Sequence, residues 1–174
     1  MGRGCWGQVA VAQVAGFGGQ EFVLRGGGER FVLPSDMRNA ITLASNERVL
    51  CLGKHETWPC LVGFGRDRVA TFDGILDEQQ AEAKQNGQPF DRALRRAKLW
   101  SFKPHTFDSS GRFVLHPSSI KLGQLTDRIY FHGVGDVITL WNPDVLLALG
   151  DDFDFFKIYC EQEMADVLAK AKGK

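Results

Sequence analysis

No stretch of this chain approaches the ~18 consecutive apolar residues of a membrane-spanning helix. None of its four cysteines, Cys5, Cys51, Cys60 and Cys160, forms a Cys-x-x-Cys pair. Cys51, His55 and Cys60 are close in sequence, but no fourth ligand is evident and structural zinc needs closed, regular spacing. The cysteines therefore read as small buried thiols of a reducing compartment, and no metal is expected. Residues 9–15 are apolar in patches, but Gln8 and Gln13 break the pattern and Arg3 is a thin basic start, so no secretory leader is expected. There is no G-x-S-x-G elbow, no P-loop and no G-x-G-x-x-G opening a helix. The four histidines, His55, His105, His116 and His132, are scattered, and His116 beside Pro117 reads as a bulge residue rather than a base. The expectation is a protein that is not an enzyme, with no catalytic residues, cofactor, small-molecule substrate or membrane partner. Net charge is missing as well: Lys+Arg and Asp+Glu are both 21. That excludes a globally basic coat for nucleic acid. A local basic face stays open, because phosphate contacts depend on where the cations sit.

Apolar residues are plentiful. The 174 residues are 44% hydrophobic, with thirteen Phe and four Trp, enough to bury the core of one ordinary domain or two small ones. The chain is organised around Asp108-Ser109-Ser110-Gly111-Arg112-Phe113-Val114-Leu115, with Pro117 just beyond. Serine and glycine allow a tight turn, and Gly111 suits a positive φ. Asp108 is placed to accept hydrogen bonds from the turn's own amides. Arg112 leaves the turn on an apolar strand, where it presents a guanidinium to a partner. Earlier in the chain stands Gly28-Glu29-Arg30-Phe31-Val32-Leu33-Pro34, with the same Arg-Phe-Val-Leu core before a proline.

The first copy reads as a strand over 21–25, a turn at Gly26-Gly27-Gly28-Glu29, and a returning strand over 30–33 that makes a hairpin. A helix follows, with Ser35 as N-cap, Asp36 at its positive end, and Met37, Ala40, Ile41 and Ala44 at helical spacing. A second hairpin joins 48–53 to 60–64, and 66–72 is a short helix. Residues 76–84 favour helix until Asn86-Gly87-Gln88-Pro89 breaks it. Residues 90–102 form an amphipathic helix whose polar face holds Arg92, Arg95, Arg96 and Lys98, a charge run that usually marks a solvated face. Then the pattern returns: a segment over 103–107, the Asp108 turn, a strand over 112–115, and a helix from Pro117-Ser118-Ser119. Next come a hairpin of 128–132 with 137–141 around Gly133-Val134-Gly135-Asp136, and a helix capped by Asn142 with Pro143 at its first position. The tail carries Phe153, Phe155, Phe156 and Tyr159, then a helix over 161–170.

The copies align. Arg30 and Arg112 lie 82 residues apart, Pro34 and Pro117 lie 83 apart, and Phe64 and Trp141 lie 77 apart. The differences are a longer hairpin loop in the first copy and the extra His116 in the second. Neither copy is large enough to bury its own sheet, so the two should share a core about a pseudo-twofold axis.

These residues resemble MraZ proteins, bacterial regulators with two tandem SpoVT-AbrB domains. The likeness lies in Asp-x-x-x-Arg before an apolar strand, a helix opened by proline, Gly-Val-Gly-Asp, and an apolar strand ending in tryptophan. It spans about residues 20–149 and is stronger from 108 to 149. The resemblance implies an α+β fold of two pseudo-symmetric swapped-hairpin SpoVT-AbrB-like β-barrel repeats with short helices. Within its span it gives repeat one (20–72), a helical linker (73–102) and repeat two (103–150); outside it lie an N-terminal extension (1–19), read from its residues as adding an edge strand, and an aromatic, helical tail (151–174). It also implies a cytoplasmic, nucleoid-associated homo-oligomeric ring. Such a ring binds short tandem repeats of double-stranded DNA upstream of the division and cell-wall gene cluster, most often to repress it. The motif arginine maps onto Arg30 and Arg112, with Asp108 and Gly111 orienting the latter, and the basic residue after the proline maps onto Arg38 and Lys121. The first copy departs from the motif: Gly26 replaces the aspartate, and Glu29 puts a negative charge beside Arg30. Lys121 lacks an arginine's bidentate fork and so favours phosphate over guanine.

Two readings compete with DNA regulation. An AbrB-like interaction module, antitoxin-like and without DNA binding, would fit the Gly26 and Glu29 changes, with the aromatic tail docking a partner. Arg112 could also simply pair with Asp108, an exposed pair worth ~0–1 kcal/mol.

Overall fold

The computed structural model describes residues 14–173. Eight strands follow the duplicated order. Repeat one holds β1 (Gln20–Leu24), β2 (Arg30–Val32), helix α1 (Ser35–Ser45), β3 (Val49–Lys54) and β4 (Leu61–Phe64). A 3₁₀ turn at Arg66–Thr71 runs into α2 (Phe72–Gln85), and α3 (Arg92–Trp100) leads to repeat two. There the order is β5 (Phe102–Thr106), β6 (Arg112–Val114), α4 (Pro117–Gly123), β7 (Arg128–Gly133) and β8 (Ile138–Trp141), then α5 (Pro143–Leu147) and α6 (Asp154–Lys172).

The hairpin expected of β1 and β2 does not form. Instead β1 pairs with β7 and β2 with β6, both in the other repeat, while β5 pairs back onto β3. The two β-hairpins proper, β3–β4 and β7–β8, join side by side through β4 and β8. The result is a six-stranded antiparallel sheet, β1-β7-β8-β4-β3-β5, and a separate two-stranded ribbon, β2-β6. The sheet ends on β1 and β5, so the expected barrel is an open sheet. Its order reads the same from either end once the repeats are exchanged, and Phe31↔Phe113 and Val62↔Thr139 pair across the pseudo-dyad.

Period-two alternation sends side chains to both faces of the sheet. Leu50, Leu52, Leu61, Ile129, Phe131, Ile138 and Leu140 point toward the ribbon and meet Phe31, Phe113, Met37 and Ile41. On the opposite face Tyr130 and Trp141 pack under α6 through Phe156 and Cys160. Phe64, Cys51 and Phe102 pack under α2 and α3 through Phe72 and Leu99. A two-stranded ribbon is marginal alone. Burying each inner phenylalanine, worth ~1.5–3 kcal/mol, fastens this one down; the rings lie 6.3 Å apart at 41°.

Residues 14–19 close one end of that core. The Ala15 amide donates to Asp67 Oδ2 at 2.9 Å, and Phe17 is buried and bridges to Gly135. Gly133 admits this strap because a Cβ there would sit 2.6 Å from the Gly18 nitrogen. The rest of the expected extension, 1–13 with Cys5, lies outside the described residues.

Local signals were mostly honoured, with shifts. Pro34, not Ser35, precedes α1, and no side chain caps that helix. Asn142 caps α5 by accepting from the Asp144 amide at 3.0 Å. His116 is no bulge: its Nδ1 accepts from the Ser118 amide at 3.2 Å, which makes it the N-cap of α4. The tail helix starts at Asp154, so its aromatic residues lie in its first turns. Among the described residues, no helix is long and apolar enough to cross a membrane.

Candidate nucleic-acid interface

The ribbon's alternation decides what faces outward. Phe31 and Phe113 point in; Arg30, Val32, Arg112 and Val114 point to solvent. In register, Arg30 lies beside Val114 and Val32 beside Arg112. The two arginines are therefore diagonal neighbours, a relation of about 7–8 Å in an antiparallel pair. Sequence alone did not place them on one surface; strand exchange between the repeats does. The exposed patch is a square of two guanidiniums and two valines about the pseudo-dyad. Val32 and Val114 are 39% and 52% exposed, high for apolar side chains. They were missed as surface residues, although the Arg-Phe-Val spacing already put them on the arginine's side.

The Asp108 turn holds Arg112 firmly. Asp108 Oδ1 accepts from the amides of Ser110 (2.9 Å) and Arg112 (3.0 Å), and Oδ2 accepts from Arg112 Nε at 2.7 Å. The Arg112 amide, its guanidinium and the Ser110 amide hold the carboxyl below its ordinary range. Arg112 Nε is thereby occupied, while the side chain stays 52% exposed. Gly111 sits at φ +81°, and a Cβ would lie 2.9 Å from the Leu33 oxygen and 2.8 Å from Arg38 Nη1. Only glycine fits there.

Arg38 extends from α1 to the Asp108 turn. Its Nη1 donates to the Ser110 carbonyl at 2.7 Å, so from α1 it buttresses the turn of the other repeat. Lys121 is exposed on α4. Among the described residues, neither Arg30 nor Lys121 has a side-chain partner. The first repeat's turn is looser: Gly26 leaves no carboxylate to hold Arg30, and Glu29 adopts φ +57°.

The other candidate clusters are internal. The α3 arginines are tied to α2 and its surroundings: Arg92 to Asp77 at 2.7 Å, Arg96 to Asp73 at 2.8 Å, and Arg95 to Glu56. His55 Nδ1 accepts from the amides of Thr57 and Trp58 in the β3–β4 loop. Burial pushes the Cys51 thiol up to about 11 and the Cys60 thiol higher still. No three His, Cys, Asp or Glu side chains converge on a metal-sized site among the described residues.

The chain is 28% identical over 119 residues to the transcriptional regulator MraZ of Phenylobacterium zucineum (strain HLK1). It is similar to a transcriptional regulator. That alignment covers 68% of this chain and 70% of the MraZ protein. No family model matches the chain.

Proposed function

We propose that this protein is a sequence-specific DNA-binding transcriptional regulator whose contact surface is the exposed face of the β2–β6 ribbon. The observation that carries this reading is the placement of Arg30 and Arg112 as diagonal neighbours on the outward face of the ribbon. A two-stranded ribbon fits the major groove. An arginine set bidentate on guanine O6 and N7 is worth ~1–3 kcal/mol of base discrimination, and the valines between them offer methyl surfaces to thymine. Arg112, pre-set by Asp108 and Gly111, is the principal reader. Arg30, beside Glu29, is the weaker one; Lys121 contacts phosphate, and Arg38 holds the turn in shape.

One such ribbon on a chain of zero net charge binds weakly. Assembly into a ring-like homo-oligomer on tandem promoter repeats raises affinity by avidity, without any new contact. By its likeness to MraZ, the protein acts in the cytoplasm, on the nucleoid, as a repressor of the division and cell-wall gene cluster. Gel-shift titration with a duplex carrying that promoter's repeats tests the reading: Arg112→Ala abolishes the shift while native mass measurement finds the same oligomer. Unchanged affinity in the variant would remove the ribbon from the account. Binding that ignores added salt would favour an apolar interaction module instead.

A further inference from the structure

An open cleft of about 510 Å³ lies between the outer face of α1 and the Asp108 turn, lined by Arg38, Asn39, Asn46, Arg48, Asp108 and others. Its chemistry is one-sided. Arg48 is exposed, and among the described residues its guanidinium pairs with nothing. Asn39 and Asn46 carry side-chain amides without a hydrogen-bond partner in the same set. The acids nearby are already engaged: Asp108 by its own turn and Arg112, and Glu47, the neighbour of Arg48, by Arg66 at 3.0 Å. The cleft thus shows free cation and amide donors beside an arginine-bearing turn, and no free carboxylate.

The pseudo-dyad sharpens the point. The Arg48 carbonyl accepts from the Phe107 amide at 3.0 Å, and the Asp127 carbonyl accepts from the Arg25 amide at 2.8 Å. These are the same bond in the two repeats, so the place of Arg48 is taken by Asp127 on the other flank of the ribbon. At this position one flank carries a cation unpaired among the described residues and the other a carboxylate that stands beside Arg128.

We propose that this cleft seats the sugar–phosphate backbone of duplex DNA, with Arg48 on a phosphate and the amides of Asn39 and Asn46 as its hydrogen-bond donors. The proposal rests on the ribbon reading above and extends it. The ribbon reads bases, and the α1 flank grips the strand beside them. A charge on phosphate carries no sequence information, so Arg48 should act on every duplex alike.

Fluorescence anisotropy on full-length protein tests this, with the promoter-repeat duplex and a scrambled duplex, between about 50 and 200 mM salt. The expected result is that Arg48→Gln weakens binding to both duplexes by a similar factor of about 3–10, with the log–log salt slope shallower by about 1. Arg48→Lys restores the slope, because a point charge suffices on phosphate. Arg112→Ala instead removes the preference between duplexes. If Arg48→Gln matches wild type in affinity and slope, or loses only the promoter duplex, the cleft proposal is overturned and the ribbon reading stands. If wild type binds neither duplex, both fall. Arg48 is exposed, so an unchanged thermal melt certifies the variant's fold.

Discussion

Both carboxylate oxygens of Asp108 are held inside its own turn, and that is what aims Arg112. The arrangement is insensitive to ordinary pH. A carboxyl held below its usual value contributes above that value and is lost only as pH falls through the lowered one. His105 behaves differently. It lies 5% exposed beneath the ribbon, edge-on to Phe113. Its Nδ1 hydrogen bonds the Lys103 carbonyl at 2.8 Å, while Nε2 accepts from the His116 amide at 3.1 Å. Burial pulls its pKa below the ordinary 6.5, and burial also lowers His55 and His132. The unfolded chain then takes up protons before the folded one does. The stabilisation is complete above 6.5 and declines as pH falls through that value toward the folded-state pKa. Thermal melts should show Tm falling from about pH 7.5 to about pH 5.5. His105→Gln should flatten that slope while lowering Tm overall, and an unchanged slope would mean that His105 is not the group responsible.

At the scale of elements, the Asp108 turn is the most constrained piece of chain. Placing alanine at Gly111 forces a side chain into the left-handed region, a strain of ~1–3 kcal/mol, and drives its Cβ onto Leu33 and Arg38. Gly111→Ala should lower stability by at least that much in denaturant unfolding and weaken duplex binding together with it. A neutral result on both would refute the turn's role. Turns and strands of this kind were legible in the sequence because they depend on neighbouring residues: Gly111 at positive φ, Asn142 and Pro143 opening α5, the break at Gly87. Strand partners were not legible. The Gly26–Glu29 turn looks the same in sequence whether β2 returns onto β1 or continues to β6; the choice is made by the larger core that exchange allows. The start of α6 was readable and overlooked. Phe156, Cys160 and Met164 repeat every four residues, but the dense aromatics around them hid that stripe. Arg38 points to a further limit: its motif position is clear from sequence, yet its hydrogen bond to Ser110 spans 72 residues.

For the whole molecule, exchange makes the repeats inseparable. Strands β1 and β2 pair only with the other half, and β3 and β4 each pair with it along one edge, so residues 20–72 or 103–150 alone should show no cooperative melt by circular dichroism. A folded half-chain would contradict the shared core. The same exchange divides the molecule by role, with the ribbon on one side of the sheet and the helices α2, α3 and α6 on the other. On the helical side Phe155, Ile158 and Tyr159 are also exposed, which makes α6 the rival surface. Methyl NMR during titration with the promoter-repeat duplex separates the two most directly. The account predicts that the methyls of Val32 and Val114 shift and broaden while that of Ile158 stays in place. Movement at Ile158 with Val32 and Val114 silent would contradict it.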